Sequence, residues 1–254
     1  MIRFFDGGMG SMLNLAAGEL PEKLNISEPE RVFAVHKGYA DAGAEFITAN
    51  TFGANSLKYD NVDELVKAGV ALAKKAGKYV ALDIGPTGKL LKPMGDLEFE
   101  RAVELFAEVV RAGKNGSDVA IIETMSDMYE LKAAVIAVKE NSDLPIITSM
   151  IFDESGRLLT GGDVKSAVAM LEGLRVDAIG FNCGLGPKQM IPLVKELREC
   201  TSLPILVMPN AGLPESVDGK TVYNVSPDEF AQDMREIAKL GVSILGGCCG
   251  TTPK

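Results

Sequence analysis

Residues 119–150, VAIIETMSDMYELKAAVIAVKENSDLPIITSM, carry a complete strand-helix-strand pattern. Two short runs rich in β-branched residues, VAIIE and PIITSM, predict strands at the two ends of this stretch. Between them, Asp127 and Glu130 have the spacing of a helix N-cap and its third helical residue, and they precede an apolar helical pattern. The stretch therefore predicts one β-α-β unit.

The same kind of run recurs along the whole chain. Eight such runs end near residues 6, 50, 83, 123, 150, 182, 208 and 246, so successive ends lie 26 to 44 residues apart. That spacing is typical of a βα unit. Helix starts are marked by the serine-to-glutamate spacing at Ser27 to Glu30 and, followed by a stop at Gly241, at Ser226 to Glu229. The pattern favours a single-domain (β/α)8 TIM barrel of the α/β class over residues 1–254, rather than an open doubly wound sheet.

The eighth run ends near Gly246, only eight residues before Lys254, so the pattern lacks the final helix of a complete barrel. Without that helix, we expect outward residues of the first and last strands to face water. The candidates are Phe5, Val242, Ile244 and Leu245. Because soluble monomers rarely leave an apolar groove open, this expectation predicts that a second copy of the chain or another subunit covers it. The alternative is that the sequence omits a tail that carries the final helix.

Composition excludes several classes of function. Hydrophobic residues make up 46% and charged residues 24%, as in soluble globular proteins. The formal net charge of −9 disfavours binding to nucleic acid or to anionic membranes. A signal peptide and a long apolar run are both absent from the sequence, which predicts a cytoplasmic protein. The only histidine, His36, excludes a three-histidine metal site and is expected on the surface of the first helix.

Cysteine placement indicates a metal site. Cys183 follows the predicted sixth strand, and Cys248 with Cys249 follows the eighth. The carboxyl ends of barrel strands share one face, so three thiolates could converge there and hold Zn²⁺ with its fourth position open. Inert buried thiols, or a disulfide between Cys248 and Cys249, remain alternatives. Cys200 lies at a predicted helix end and is interpreted as structural.

Acidic residues end two strands on the same face. Asp6 follows the first run and Glu123 ends the fourth, and a buried carboxylate requires a partner. The two carboxylates suit a ligand ammonium group, although structural caps or ion pairs would explain them equally well. The backbone amides near Gly7, Gly8 and Gly10 could hold a ligand carboxylate, or the glycines could simply form a flexible turn.

Six motifs, in this order, resemble the homocysteine S-methyltransferase family, including the homocysteine-binding domain of cobalamin-dependent methionine synthase. They are FFDGGMGSML at 4–13, ITANTFGAN at 47–55, LDIGPTGKLL at 82–91, FNCGLGP at 181–187, MPNAGLP with DGKTVY at 208–223, and GGCCGTTP at 246–253.

The resemblance implies a set of site residues. Cys183, Cys248 and Cys249 would bind zinc, with the homocysteine sulfur in the open position. Asp6, Glu123 and the amides of Gly8 and Met9 would hold the amino-acid end of homocysteine. Asn210 would be the fourth zinc ligand when no substrate is bound.

The resemblance also implies a methyltransferase that converts homocysteine to methionine. The methyl donor stays open among a corrinoid protein, which would carry methylcobalamin on a separate chain, a sulfonium such as S-methylmethionine, and a betaine. The alternatives are a zinc- and homocysteine-binding subunit without turnover of its own, and a phosphate-site barrel lyase with incidental cysteines.

Overall fold

Eight parallel strands alternate with helices in the computed structural model, which describes residues 1–15, 18–217 and 220–254. The barrel strands are β1 (Arg3–Phe4), β2 (Phe46–Thr48), β3 (Tyr79–Ile84), β4 (Val119–Met125), β5 (Ile146–Met150), β6 (Ala178–Asn182), β7 (Ile205–Met208) and β10 (Ile244–Leu245). An antiparallel hairpin, β8 (Pro214–Val217) and β9 (Lys220–Tyr223), lies in the long segment after β7. Two residues of the DGKTVY motif, Asp218 and Gly219, lie outside the described residues.

The strand order is that of a barrel. Neighbours run β1-β10-β7-β6-β5-β4-β3-β2. Between β1 and β2, a bridge joins Phe5 to Phe46, and the amide of Glu45 donates to the carbonyl of Phe4 at 2.8 Å. The predicted (β/α)8 barrel is confirmed.

Nine α-helices are found in the described ranges: α1 (Met9–Leu13), α2 (Leu24–Ser27), α3 (Pro29–Ala42), α4 (Val62–Lys75), α5 (Phe99–Gly113), α6 (Met128–Asn141), α7 (Val164–Gly173), α8 (Pro187–Cys200) and α9 (Pro227–Ala238). The predicted capping box at Ser226 and Glu229 is present, and Asp127 accepts two backbone N–H groups at the start of α6. The predicted cap at Ser27 is wrong. Ser27 ends α2 and donates to the carbonyl of Lys23, while Glu28 precedes α3.

The barrel interior has an apolar layer below a polar one. Inward-facing side chains form a small cluster of their own, composed of Phe5, Ala81, Val119, Ile121, Ile147, Ala178, Leu206 and Met208. Side chains alternate across a strand, so residues two positions further toward the carboxyl end also point inward. Those positions include Asp83 and Glu123, and they bring polar groups to the mouth of the barrel.

His36 is buried, contrary to the sequence-based expectation. Its side chain is fully inaccessible on the inner face of α3, and neither ring nitrogen has a hydrogen-bond partner among the described residues. Burial lowers the pKa of His36 to about 4, so the imidazole is neutral at physiological pH. The residue occurs one turn after Val32 on the face that packs against the barrel.

The described residues after β10 form no helix, as the sequence pattern predicted. The predicted exposure is nevertheless wrong for Phe5, Val242 and Leu245, which are all buried, and Ile244 packs partly inside the barrel. A groove of about 580 Å³ lies between α3 and α9, and Phe4 on its wall is 48% exposed. The described helices include none long and apolar enough to cross a membrane.

Candidate active site

Three cysteine side chains meet at the mouth of the barrel. The sulfur atoms of Cys183, Cys248 and Cys249, here called the cysteine cluster, all lie within 4.8 Å of one another, and those of Cys183 and Cys249 are 3.8 Å apart. A tetrahedral zinc ion with Zn–S bonds of about 2.3 Å places its sulfur ligands about 3.8 Å apart. The donor set and its spacing therefore fit a three-thiolate zinc site. Cys200 ends α8 and packs against the outer core, away from the cluster, in agreement with its structural interpretation.

Backbone geometry explains how the chain brings these side chains together. Cys183 has φ 59°, a left-handed conformation that turns the chain directly after β6. The amide of Cys248 donates to the carbonyl of Pro209 at 2.9 Å, which ties the loop after β10 to the loop after β7. Gly8 lies against this segment, because an added Cβ would be 2.7 Å from the carbonyl oxygen of Cys248. Three barrel loops thus fix the cluster.

The thiols share protons. Hydrogen bonds from the Cys183 and Cys248 thiols lower the pKa of Cys249 to about 3, and the Tyr223 hydroxyl contributes to the same shift. The hydrogen bonds of the Cys248 thiol with Cys183 and Cys249, together with burial, raise the pKa of Cys248. Zinc binds cysteine as the thiolate, so metal binding would release the thiol protons of the cluster.

Asp6 follows β1 and is held by β2. Its carboxylate accepts hydrogen bonds from the amide of Thr48 at 2.8 Å and from the Thr48 hydroxyl at 2.6 Å. Burial outweighs these bonds and raises the pKa of Asp6 to about 7. The carboxyl group is thus poised to ionise when a cation approaches.

Glu123 sits at an irregular point of β4. The register between β4 and β5 shifts after Ile122, and Thr124 adopts φ 64°. Asn182 fixes this bulge, since its Oδ1 accepts from the Thr124 amide at 2.8 Å and its Nδ2 donates to the Thr124 hydroxyl at 2.7 Å. Burial, with the charges of Asp6 and Cys249 in addition, raises the pKa of Glu123 to about 8.

Two side chains at the mouth were not singled out from the sequence. Asp83 of β3 is buried, and burial together with the charges of Glu123 and Asp6 raises its pKa well above the usual range. Tyr223, at the end of the β8-β9 hairpin, donates to Cys249. Strand alternation could have identified Asp83, whereas the fold of the long loop that carries Tyr223 has no simple sequence signal.

The remaining predicted site residues border the cluster. The amide of Gly8 donates to the hydroxyl of Thr251 at 3.2 Å, and Met9 begins α1. Asn210 is buried, and its Oδ1 accepts from the amide of Cys249 at 3.1 Å. In this structure Asn210 supports the backbone of the cluster, and its ligation of a metal remains a prediction.

Fold and site together define a (β/α)8 barrel with a three-thiol candidate metal centre at the carboxyl ends of its strands. The family model described as "Homocysteine S-methyltransferase" matches residues 3–254. The chain belongs to the homocysteine S-methyltransferase family, as its motifs predicted.

Known proteins similar to the chain include long methionine synthases and a barrel of similar size. Methionine synthases from Mycobacterium leprae and Mycobacterium tuberculosis are each 32% identical over 279 aligned positions, which cover 98% of this chain. The chain spans only 23% of the length of these relatives. The metallated form of the homocysteine methyltransferase MmuM from Escherichia coli has the same fold, with a TM-score of 0.83, 24% identity, and coverage of 99% of this chain and 93% of that chain.

Proposed function

We propose that the protein transfers a methyl group to the sulfur of homocysteine and forms methionine, with zinc held by Cys183, Cys248 and Cys249. The observation that carries this proposal is the cysteine cluster, whose sulfur spacing matches a tetrahedral zinc site. Three protein thiolates leave one zinc position for a substrate sulfur, as in a catalytic site. Family membership favours methyl transfer over the alternative of a phosphate-site lyase.

Each part of the mouth has a role in this reaction. When bound, zinc would lower the pKa of the homocysteine thiol, which is about 8.5 when free, so that the sulfur is nucleophilic at neutral pH. Asp6 and Glu123 bind the substrate ammonium group, and the backbone amides of Gly8 and Met9 bind its carboxylate, with the Gly8 amide exchanging its hydrogen bond to Thr251 for one to the substrate. Tyr223 and Asn210 hold Cys249 in place through its sulfur and its amide.

The reaction forms one bond and breaks one. A lone pair of the homocysteine sulfur attacks the methyl carbon in line with the bond to the donor. That bond breaks, and the donor leaves with the electron pair. A methylated corrinoid protein, a sulfonium and a betaine all satisfy this chemistry, so the donor is identified by assay.

Metal analysis and a donor panel test the proposal. Purified protein should contain about one zinc per chain and should form methionine from homocysteine with at least one of methylcobalamin, S-methylmethionine and betaine. Cys183→Ala should lose both zinc and activity, while the matched variant Cys200→Ala should keep both. Wild-type protein without zinc would contradict the metal site.

A second candidate function is a zinc- and homocysteine-binding subunit whose chemistry needs another protein. It is favoured by one observation: the methionine synthases that resemble this chain are about four times as long. Zinc and homocysteine binding without methionine formation from any small donor would support this second function, and turnover with the isolated chain would exclude it.

A further inference from the structure

We propose that Asp83 determines selectivity for a thiol that carries an ammonium group, as a third carboxylate beside Asp6 and Glu123. The inference rests on the proposed homocysteine site and adds to it a residue that the family motifs did not mark as functional. We call these three residues the carboxylate trio.

The position of Asp83 in β3 directs its side chain into the mouth. Ala81, two residues earlier, packs in the barrel interior, whereas Leu82 and Ile84 belong to the outer core between strands and helices. Asp83 therefore has the inward orientation of Ala81. It pairs with Ile121 on β4, the inward residue two positions before Glu123. The two acids thus occupy the mouth on neighbouring strands.

Within the described ranges, Oδ1 of Asp83 lacks a hydrogen-bond partner of the kind that Asp6 and Glu22 possess. Asp6 accepts two hydrogen bonds from Thr48. Glu22, the fourth acid near Asp83, accepts from the amide of Gly53 and from the Tyr59 hydroxyl. In contrast, Oδ1 of Asp83 is inaccessible and has no hydrogen-bond partner among the described residues, and the side chain is only 5% exposed. A buried carboxylate oxygen without a hydrogen-bond partner favours a ligand that supplies a hydrogen-bond donor or a positive charge.

The described side chains do not supply that charge. Among the lysine and arginine side chains that the structure describes, none forms an ion pair with any member of the carboxylate trio. Nor do oxygen atoms of the trio approach one another closely enough to be a metal-binding group, since the cysteine cluster is the only such group found in the described ranges. An ammonium group fits these facts, because it has three N–H donors and attracts carboxylates over several ångströms.

The consequence is selectivity. Homocysteine and 4-sulfanylbutanoate share a thiol, a carboxylate and the same chain length, but only homocysteine carries an ammonium group. If Asp83 acts through its charge, its removal weakens binding of homocysteine and leaves binding of 4-sulfanylbutanoate unchanged or slightly stronger. A purely structural role would weaken both ligands alike.

Calorimetric titration of the zinc-loaded full chain with both thiols tests the inference. Asp83→Asn and Asp83→Ser should each lower the preference for homocysteine over 4-sulfanylbutanoate by about tenfold, the effect of one nearby charge. Asp83→Glu should retain most of the preference. The matched control is Glu130→Gln, which alters a buried acid bonded to Thr87, outside the trio, and should leave the preference unchanged.

Each outcome is decisive. An unchanged preference in the folded neutral variants, or an equal loss for both thiols, overturns the role of Asp83 while the proposed function stands. If the wild-type protein loaded with zinc binds neither thiol, the proposed function itself fails, and the inference fails with it.

Discussion

Replacing His36 with leucine should remove a pH dependence of stability that the structure builds into α3. Burial lowers the pKa of His36 from 6.5 to about 4. The unfolded chain therefore binds a proton more readily than the folded one between these values, and stability falls as the pH drops through this window. This protonation lowers the free energy of unfolding by about 2 kcal/mol between pH 7 and pH 5, and by about 3 kcal/mol by pH 4.

Urea unfolding of the wild type and His36→Leu at pH 7 and pH 5 provides the measurement. The comparison requires both proteins, because buried acids act in the opposite direction. The pKa of Asp6 is raised to about 7 and that of Glu123 to about 8, so the stability linked to their protonation is lost as the pH rises. These contributions cancel between the two proteins. A free-energy difference between wild type and variant that is the same at both pH values would refute the buried, uncharged state of His36.

Three other changes have defined outcomes. Replacing any member of the cysteine cluster by alanine should remove most of the bound zinc, measured by metal analysis, whereas Cys200→Ala should keep it. Asp6→Asn and Glu123→Gln should retain zinc but weaken homocysteine binding by about 1.5 to 3 kcal/mol each, or one to two decades in Kd by titration calorimetry; unchanged affinity in both would contradict their role. Gly180→Ala should destabilise the fold by more than about 3 kcal/mol in a denaturant titration, because the new Cβ would lie 1.9 Å from the backbone oxygen of Leu206.

The barrel was predictable because its signals are local and repeated. Each strand is a short apolar run, and every run lies one βα unit from the next, so one register error would not change the fold class. The capping box at Ser226 was equally readable, since a serine, a proline and a glutamate act together there. At Ser27 the same spacing failed because the hydroxyl bonds back to Lys23 inside the preceding helical turn.

The helical pattern around His36 contradicts the prediction that this residue lies on the surface. Val32, Val35 and Tyr39 form one apolar helical face, and His36 follows Val32 by four residues, which places it on that face. The polarity of histidine favours a surface position, but the helix geometry places His36 on the buried face of α3. Burial of the neutral imidazole costs less free energy than burial of the charged form, and burial therefore lowers the pKa of His36.

The geometry of the site could not be predicted from strand assignment alone. Two of its turns use backbone conformations that the residue type does not indicate. Thr124 and Cys183 have positive φ although neither is glycine, and each such conformation costs about 1 to 2 kcal/mol.

Asn182 connects these two strained positions and helps to stabilise both. It bonds Thr124 twice, accepts from the Ser149 hydroxyl at 2.8 Å, and immediately precedes Cys183. Its Nδ2 also lies 3.8 Å from the sulfur of Cys248. One buried amide thus joins the bulge that carries Glu123 to the turn that carries a cluster thiol. The carboxylate and the thiols are consequently set at a fixed separation by the scaffold itself, as the proposed binding of the two ends of one small thiol amino acid requires.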